Sequence, residues 1–256
     1  MEKRQTQHMA YLCGQWPLDE NKPTLVFVHG AGGSSVLWED QVEGLKDIAN
    51  TVAVDLPGHG DSPGPGRESV SAYAEEVAAL VRELSPPAPV IAGLSMGGAI
   101  AQQCLLDYTG LFRAGVLMST GARLKVMPAI FEKVETDFPG FLELLESFAV
   151  SPATDKDRLS RVLEDNARRD PEVVLGDFRA CDAFDVMDRL PEIKAPVLII
   201  TGEDDKLTPK KYGDYLSENI PAARRVHLQE AGHLLCAEKP EETNSAISGF
   251  LAEVLG

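Results

Sequence analysis

Short apolar runs recur along the chain and are separated by longer stretches with helical spacing. Six of these runs are rich in β-branched residues and predict strands, at residues 24–28, 51–54, 89–92, 114–118, 196–201 and 224–228. Near-continuous apolar runs of this length are typical of strands buried on both faces of a parallel sheet. Residues 8–13 predict one further strand at the N-terminal edge.

Helical patterns fill most of the intervals between these strands. One apolar stripe follows Ser69 and Ser71, either of which could cap the helix, and it consists of Val70, Ala74, Val77, Ala78 and Val81. A last helix is predicted after Pro240, with an apolar face at residues 247–254. Alternating strands and helices predict an α/β fold with a doubly wound, mostly parallel sheet and helices on both faces.

Residues 122–190 interrupt this alternation because they show no strand pattern. The segment is too long for a plain connection and is rich in helix-forming residues. It predicts a helical cap inserted into a core that consists of residues 1–121 and 191–256.

The composition indicates an ordinary globular protein, with 44% hydrophobic and 25% charged residues. The formal net charge of −16 would repel nucleic-acid phosphates and anionic membrane surfaces, so neither is an expected partner. The polar N-terminus is not typical of a signal peptide. Four scattered cysteines lack metal-ligand spacing and predict buried free thiols: Cys13, Cys104, Cys181 and Cys236. Together these features predict a cytoplasmic protein.

The strongest candidate for chemistry is the sequence Gly93-Leu94-Ser95-Met96-Gly97. It matches the G-x-S-x-G motif and lies between a predicted strand and a predicted helix, which is the context that the motif requires. Glycines on both sides of the serine remove Cβ atoms that would collide with neighbouring backbone. The motif predicts Ser95 as a nucleophile at the carboxyl end of the sheet, above a helix N-terminus that favours negative charge.

Four further segments follow the same order along the chain, at residues 29–33, 55–62, 202–205 and 231–233. Their sequences are HGAGG, DLPGHGDS, GEDD and AGH, and Pro209 follows the third of them. With the serine motif, they resemble the serine-nucleophile, cap-bearing branch of the α/β-hydrolase superfamily over nearly the whole chain. The resemblance implies a sheet of about eight strands and a Ser…Asp…His order of catalytic residues. No two histidines have metal-ligand spacing, and no G-x-G-x-x-G motif opens a helix after the first strand, so neither a metal nor a cofactor is expected.

The resemblance also implies roles for individual residues. His233 would accept the proton of Ser95, at roughly 2.6–3.2 Å, because a serine hydroxyl is a poor nucleophile without a base. Asp205 would orient His233, since Gly202 precedes it and Pro209 follows it at the family's spacing, and Asp204 is the alternative. The backbone N–H groups of Ala31 and Met96 would form the oxyanion hole.

The predicted cap contains six of the nine phenylalanines, which predict an apolar substrate pocket or only the packing of the cap on the sheet. The candidate pocket residues are Arg123, Phe131, Phe138, Leu207 and Leu234. We expect a serine hydrolase that cleaves a small carboxylic ester or thioester through an acyl-enzyme. The alternatives are an enol-lactone or carbon–carbon bond hydrolase, a pimeloyl-carrier methyl esterase, and a non-catalytic ligand receptor. A carrier-protein partner is possible on this fold but is not indicated, and the sequence predicts no oligomeric state.

Overall fold

The computed structural model describes residues 1–255, and its centre is an eight-stranded sheet. The strands are β1 (Glu2–Gln5), β2 (Ala10–Cys13), β3 (Thr24–Val28), β4 (Asn50–Val54), β5 (Pro89–Leu94), β6 (Ala114–Met118), β7 (Val197–Gly202) and β8 (Ala223–Leu228). Their spatial order is β1-β2-β4-β3-β5-β6-β7-β8. Strands β3 to β8 pair in parallel, whereas β1 and β2 are antiparallel to their neighbours. The predicted fold class is therefore confirmed.

The helices are α1 (Glu39–Gly44), α2 (Val70–Leu84), α3 (Met96–Asp107), α4 (Pro128–Thr136), α5 (Phe138–Ala149), α6 (Lys156–Asn166), α7 (Pro171–Ala183), α8 (Lys210–Asn219), α9 (Leu235–Glu238) and α10 (Pro240–Leu255). Short 3₁₀ helices occupy Ser35–Trp38 and Met187–Glu192. Ser69 caps α2 by accepting the N–H of Ala72 at 3.2 Å, and the predicted apolar stripe of α2 is buried. Within residues 1–255, no helix combines the length and apolarity needed to cross a membrane.

The N-terminal edge of the sheet differs from the prediction. Residues 8–13 were expected to form the edge strand, but β1 pairs with β2 and covers it. The β1 sequence, Glu-Lys-Arg-Gln, is polar and largely exposed, so no apolar pattern marks it. An edge strand that packs on only one neighbour has no need of such a pattern.

The central strands are buried on both faces by alternating side chains. On β3, Val26 and Val28 pack in a cluster with α2 and α3, whereas Leu25 and Phe27 pack in a second cluster with α1 and α10. This two-residue period is the geometry of a pleated strand. Because both faces are covered, the carboxyl ends of the parallel strands meet at one edge, where loops can assemble a site.

The segment between β6 and β7, which we call the insertion (residues 122–190), contains helices α4 to α7. Its only extended pairing is the isolated bridge between Arg123 and Asp185. Val134, Phe141, Val174 and Leu175 form a separate small core inside it. The helical content agrees with the expectation for a cap, and the division of the chain into core and cap stays a prediction.

Candidate active site

Ser95 occupies the tight turn between β5 and α3, with φ 58° and ψ −118°. A positive φ strains the backbone of a non-glycine residue by roughly 1–3 kcal/mol, so this conformation persists only where surrounding contacts hold it. Two hydrogen bonds do so here. The Ser95 N–H donates to the carbonyl oxygen of Met118 at 2.9 Å, and Thr120 Oγ1 donates to the carbonyl oxygen of Ser95 at 2.8 Å.

Glycines flank this turn because no Cβ atom fits there. A Cβ on Gly93 would overlap the carbonyl oxygen of Gly97, and one on Gly97 would overlap the carbonyl oxygen of Val28. A Cβ on Gly98 would lie 2.6 Å from the Thr120 side chain. The motif therefore reflects close backbone packing between β3, β5 and α3.

His233 lies in the loop between β8 and α9, and its side chain is buried against Asp205. Its Nδ1 atom is 3.0 Å from Asp205 Oδ2 and 3.1 Å from Oδ1. An ionised carboxylate only accepts hydrogen bonds, so we assign the proton to Nδ1. The other ring nitrogen, Nε2, is then free to act as a base.

Asp205 is held in a dense set of donors after β7. The N–H groups of Leu207 and Thr208 each donate to Oδ1 at 2.9 Å, and Thr208 Oγ1 donates to Oδ2 at 2.8 Å. Burial alone would raise the pKa of Asp205, but the charge of His233 and the hydrogen bonds from His233 and Thr208 outweigh it and hold the pKa well below its usual range. Asp205 is therefore charged wherever the site works.

The neighbouring carboxylate, Asp204, has a different partner. It accepts a hydrogen bond from Ser151 Oγ of the insertion at 2.5 Å. Of the two candidates for the acid, Asp205 is the one that contacts His233.

Ser95 and His233 line one cavity. Within the described residues, neither Ser95 Oγ nor His233 Nε2 has a hydrogen-bond partner. The expected contact between these two groups is thus not made in this structure. Such contacts are often long in unliganded enzymes and tighten when substrate binds.

The two expected oxyanion donors lie beside Ser95. Ala31 follows β3 and lines the cavity, and a Cβ on the adjacent Gly30 would be 3.2 Å from Ser95 Cβ. In the part of the chain that the structure describes, the Ala31 N–H has no acceptor. Met96 opens α3, where first-turn N–H groups have no partner within the helix. Met96 is fully buried, and its role as an oxyanion donor stays a prediction.

The cavity has a volume of about 370 Å³, which is in the range of small-molecule sites. Its wall is mainly apolar, with seven leucines and Phe178 among the lining residues, and the insertion supplies more than half of the lining residues. Glu143, Glu146 and Glu164 are the carboxylates that line it, and no lysine or arginine does. Glu146 pairs with Lys156 at 2.6 Å.

The structure corrects three of the pocket predictions. Leu207 and Leu234 line the cavity, but Arg123, Phe131 and Phe138 do not. Arg123 is bridged to Asp185 and lines a separate cleft with Tyr212. Phe131 and Phe138 pack instead against the small core of the insertion, where the Phe138 ring stacks on Phe141. Phe178, which was not singled out as a pocket residue, reaches the cavity instead.

The sequence carries little signal for the residues that support the site. Thr208 follows Asp205 by three positions, a local spacing that could have indicated a side chain returning to the carboxylate. Asp177 accepts the N–H of Gly32 from 145 residues away, and no local pattern marks such a contact.

Comparisons with known proteins agree with this architecture. A model of the alpha/beta hydrolase family matches residues 25–246. The protein BpoC of Mycobacterium tuberculosis, which carries a non-heme bromoperoxidase name, is 30% identical over 253 residues, covering 90% of this chain and 94% of that protein. A pimeloyl-[acyl-carrier protein] methyl ester esterase of Neisseria meningitidis is 29% identical over 242 residues, covering 89% and 76%.

Solved structures match over almost the whole chain. The structure of a thermophilic esterase has a TM-score of 0.83 at 29% identity and covers 99% of this chain and 98% of its own. An esterase from Thermogutta terrifontis has a TM-score of 0.87 at 24% identity, with full coverage of both chains, and shows likeness of fold. The chain belongs to the alpha/beta hydrolase family. It is therefore a hydrolase.

Proposed function

We propose that this hydrolase cleaves small carboxylic esters with an apolar acyl group, through a covalent acyl-enzyme on Ser95. The observation that carries the proposal is the arrangement at one cavity. A strained serine and a histidine paired with a buried carboxylate both face an apolar space of about 370 Å³.

In the proposed mechanism, His233 Nε2 takes the proton of Ser95 as Oγ attacks the ester carbonyl carbon. The resulting oxyanion accepts hydrogen bonds from the N–H groups of Ala31 and Met96. Each such donor is worth about 2.7–4 kcal/mol of transition-state stabilisation. His233 then protonates the leaving alcohol, and afterwards activates a water molecule that hydrolyses the acyl-enzyme and restores Ser95.

The charge of the cavity supports uncharged acyl groups over anionic ones. Three glutamates line it, of which Glu146 is paired with Lys156, and no lysine or arginine lines it, so an anionic acyl group would meet repulsion there. The formal net charge of −16 would repel an acidic carrier at the surface, so we propose free small esters as the substrates. Thioesters, enol-lactones and carbon–carbon bond substrates are the alternatives to be assayed beside these esters. The cytoplasmic location stays a prediction.

The test combines covalent labelling with turnover. A fluorophosphonate should add one equivalent to the wild type, and p-nitrophenyl esters of two to ten carbons should be hydrolysed. Ser95→Ala should abolish both results. Ser119→Ala is the matched control, since Ser119 also has positive φ at a strand end but is buried and does not line the cavity. Labelling that persists in Ser95→Ala, or a labelled protein that turns over no ester of the panel, would count against the proposal.

A further inference from the structure

Asp177 is a fully buried carboxylate on α7 of the insertion, 0% exposed, and it has no role in the chemistry described above. It accepts three hydrogen bonds, from the Gly32 N–H at 2.8 Å, His59 Nε2 at 2.8 Å and Tyr73 Oη at 2.6 Å. All three donors belong to the core, on the loops after β3 and β4 and on α2. A buried charge is tolerated only when it is paired and hydrogen-bonded, so this network specifies how the insertion meets the core.

The contact with Gly32 falls one residue after the proposed oxyanion donor Ala31. Gly32 has φ +69°, and Asp177 holds its N–H while Arg169 Nε donates to its carbonyl oxygen at 3.2 Å. Arg169 also belongs to the insertion. Both backbone polar groups of Gly32 are thus held by insertion residues. These two contacts restrict the backbone on either side of Gly32, and so the loop that carries Ala31 along the cavity wall.

A carboxylate beside an oxyanion hole would oppose the charge that develops there, unless a cation balances it. A doubly protonated His59 would supply that balance. Its two ring nitrogens face oxygen acceptors, Asp177 Oδ2 at 2.8 Å and the Pro57 carbonyl oxygen at 3.1 Å, and an imidazolium donates to both. The side chains of His59 and Asp177 are both 0% exposed.

We propose that Asp177 is a positioning residue for the oxyanion loop, so that the insertion completes the catalytic site in addition to enclosing the substrate. The role rests on the proposed function, because the N–H that it positions is the one assigned to the oxyanion. Asp177 acts through Gly32 and does not touch the substrate. Its loss should therefore lower kcat with little change in KM, since the oxyanion exists only in the transition state.

The experiment compares four variants, with kcat expressed per site titrated by a phosphonate so that unfolded protein is not counted. Asp177→Leu removes the acceptor at similar size, and we expect kcat to fall about 10–100-fold, less than the 10²–10³ of a deleted donor, with KM within about threefold. Asp177→Asn keeps an oxygen acceptor for Gly32 and should recover most of that loss. Tyr73→Phe removes a hydrogen bond to the other carboxylate oxygen and should leave kcat unchanged.

Arg169→Met is the fourth variant. It removes the donor to the Gly32 carbonyl oxygen together with the ion pair to Asp165, and it should lower kcat by a smaller factor even if Asp177→Leu does not fold. Hydrogen exchange of the peptide that spans residues 29–35 supplies a readout independent of turnover. It should accelerate in Asp177→Leu or Arg169→Met and not in Tyr73→Phe. A wild type without esterase activity would refute the proposed function alone, because exchange still reports on the loop.

Three outcomes would overturn the positioning role. One is a folded Asp177→Leu with wild-type kcat and wild-type exchange. Another is an equal loss of kcat in Tyr73→Phe, which would indicate general packing. The third, where Asp177→Leu does not fold, is an Arg169→Met variant with unchanged kcat and exchange.

Discussion

Asp204 and Asp205 are adjacent in the chain, yet their carboxylates bind different structural units. Asp205 Oδ2 lies 3.0 Å from His233 Nδ1, while Asp204 Oδ2 accepts the hydroxyl of Ser151 in the insertion. One of the pair serves the histidine of the site, and the other ties the same loop to the insertion. Two residues of identical chemistry therefore offer a test of position alone.

We expect Asp205→Asn to lower kcat by about 10³–10⁴-fold. The asparagine amide carries no negative charge, so it cannot stabilise the imidazolium that forms when His233 takes the proton of Ser95. Asp204→Asn should remain close to wild type, since its amide oxygen can still accept the Ser151 hydroxyl. The measurement is kcat for one p-nitrophenyl ester with both proteins checked for equal melting temperature. A larger loss in Asp204→Asn would reverse the assignment of the acid.

The buried His29 predicts a stability change below neutral pH. Burial, and then the nearby His59, lower the pKa of His29 well below 6.5. The folded state therefore takes up this proton less readily than the unfolded chain, so the free energy of unfolding falls as pH drops below about 6.5 and is fully recovered above it. One such group contributes a slope of at most about 1.4 kcal/mol per pH unit.

Urea unfolding between pH 7.5 and 4.5 measures this slope. His29→Gln should flatten it, even though the variant also loses the hydrogen bond from the Leu56 N–H. His8→Gln is the control, because His8 is exposed and should keep the wild-type slope. Equal slopes in the wild type and His29→Gln would show that another group governs this pH range.

The glycine motif makes a prediction about packing. A Cβ on Gly97 would overlap the Val28 carbonyl oxygen, so Gly97→Ala must displace β3 or α3. We expect a loss of at least about 1–3 kcal/mol in unfolding free energy together with loss of Ser95 labelling. Gly249→Ala on α10 is the matched substitution, because nothing lies within 4 Å of its Cβ. It should gain about 0.5–1 kcal/mol from helix propensity. Similar stability changes in the two variants would show that the turn tolerates a side chain.

The elements and the site were predictable to different degrees. Strands such as Ala114–Met118 and the Ser95 turn have local signatures, an apolar run or a glycine spacing, and these were identified. Strand β1 was not, because its polar residues pack on one neighbour only. Asp177 and Gly32 are in contact although 145 residues separate them in the chain. Phe178 on α7 lines the cavity, whereas Phe138 on α5 does not. Tertiary packing decides both relationships, so no local pattern could reveal them.

Phe178 and Phe138 also provide the sharpest test of how the insertion shapes the substrate pocket. Both are half-buried and both pack against Phe141, with ring centroids 5.6 Å and 5.9 Å away, but only Phe178 lines the cavity. Phe178→Ala should lengthen the preferred acyl chain, because the smaller side chain leaves room for further methylenes. Each methylene in an apolar pocket is worth about 1–3 kcal/mol of discrimination in kcat/KM. Phe138→Ala should cost stability and leave the profile unchanged. The measurement is kcat/KM across p-nitrophenyl esters of increasing length, with phosphonate labelling of Ser95 to show that the nucleophile is intact. If the Phe178→Ala profile is superimposable on that of the wild type, the insertion does not set acyl preference through this wall.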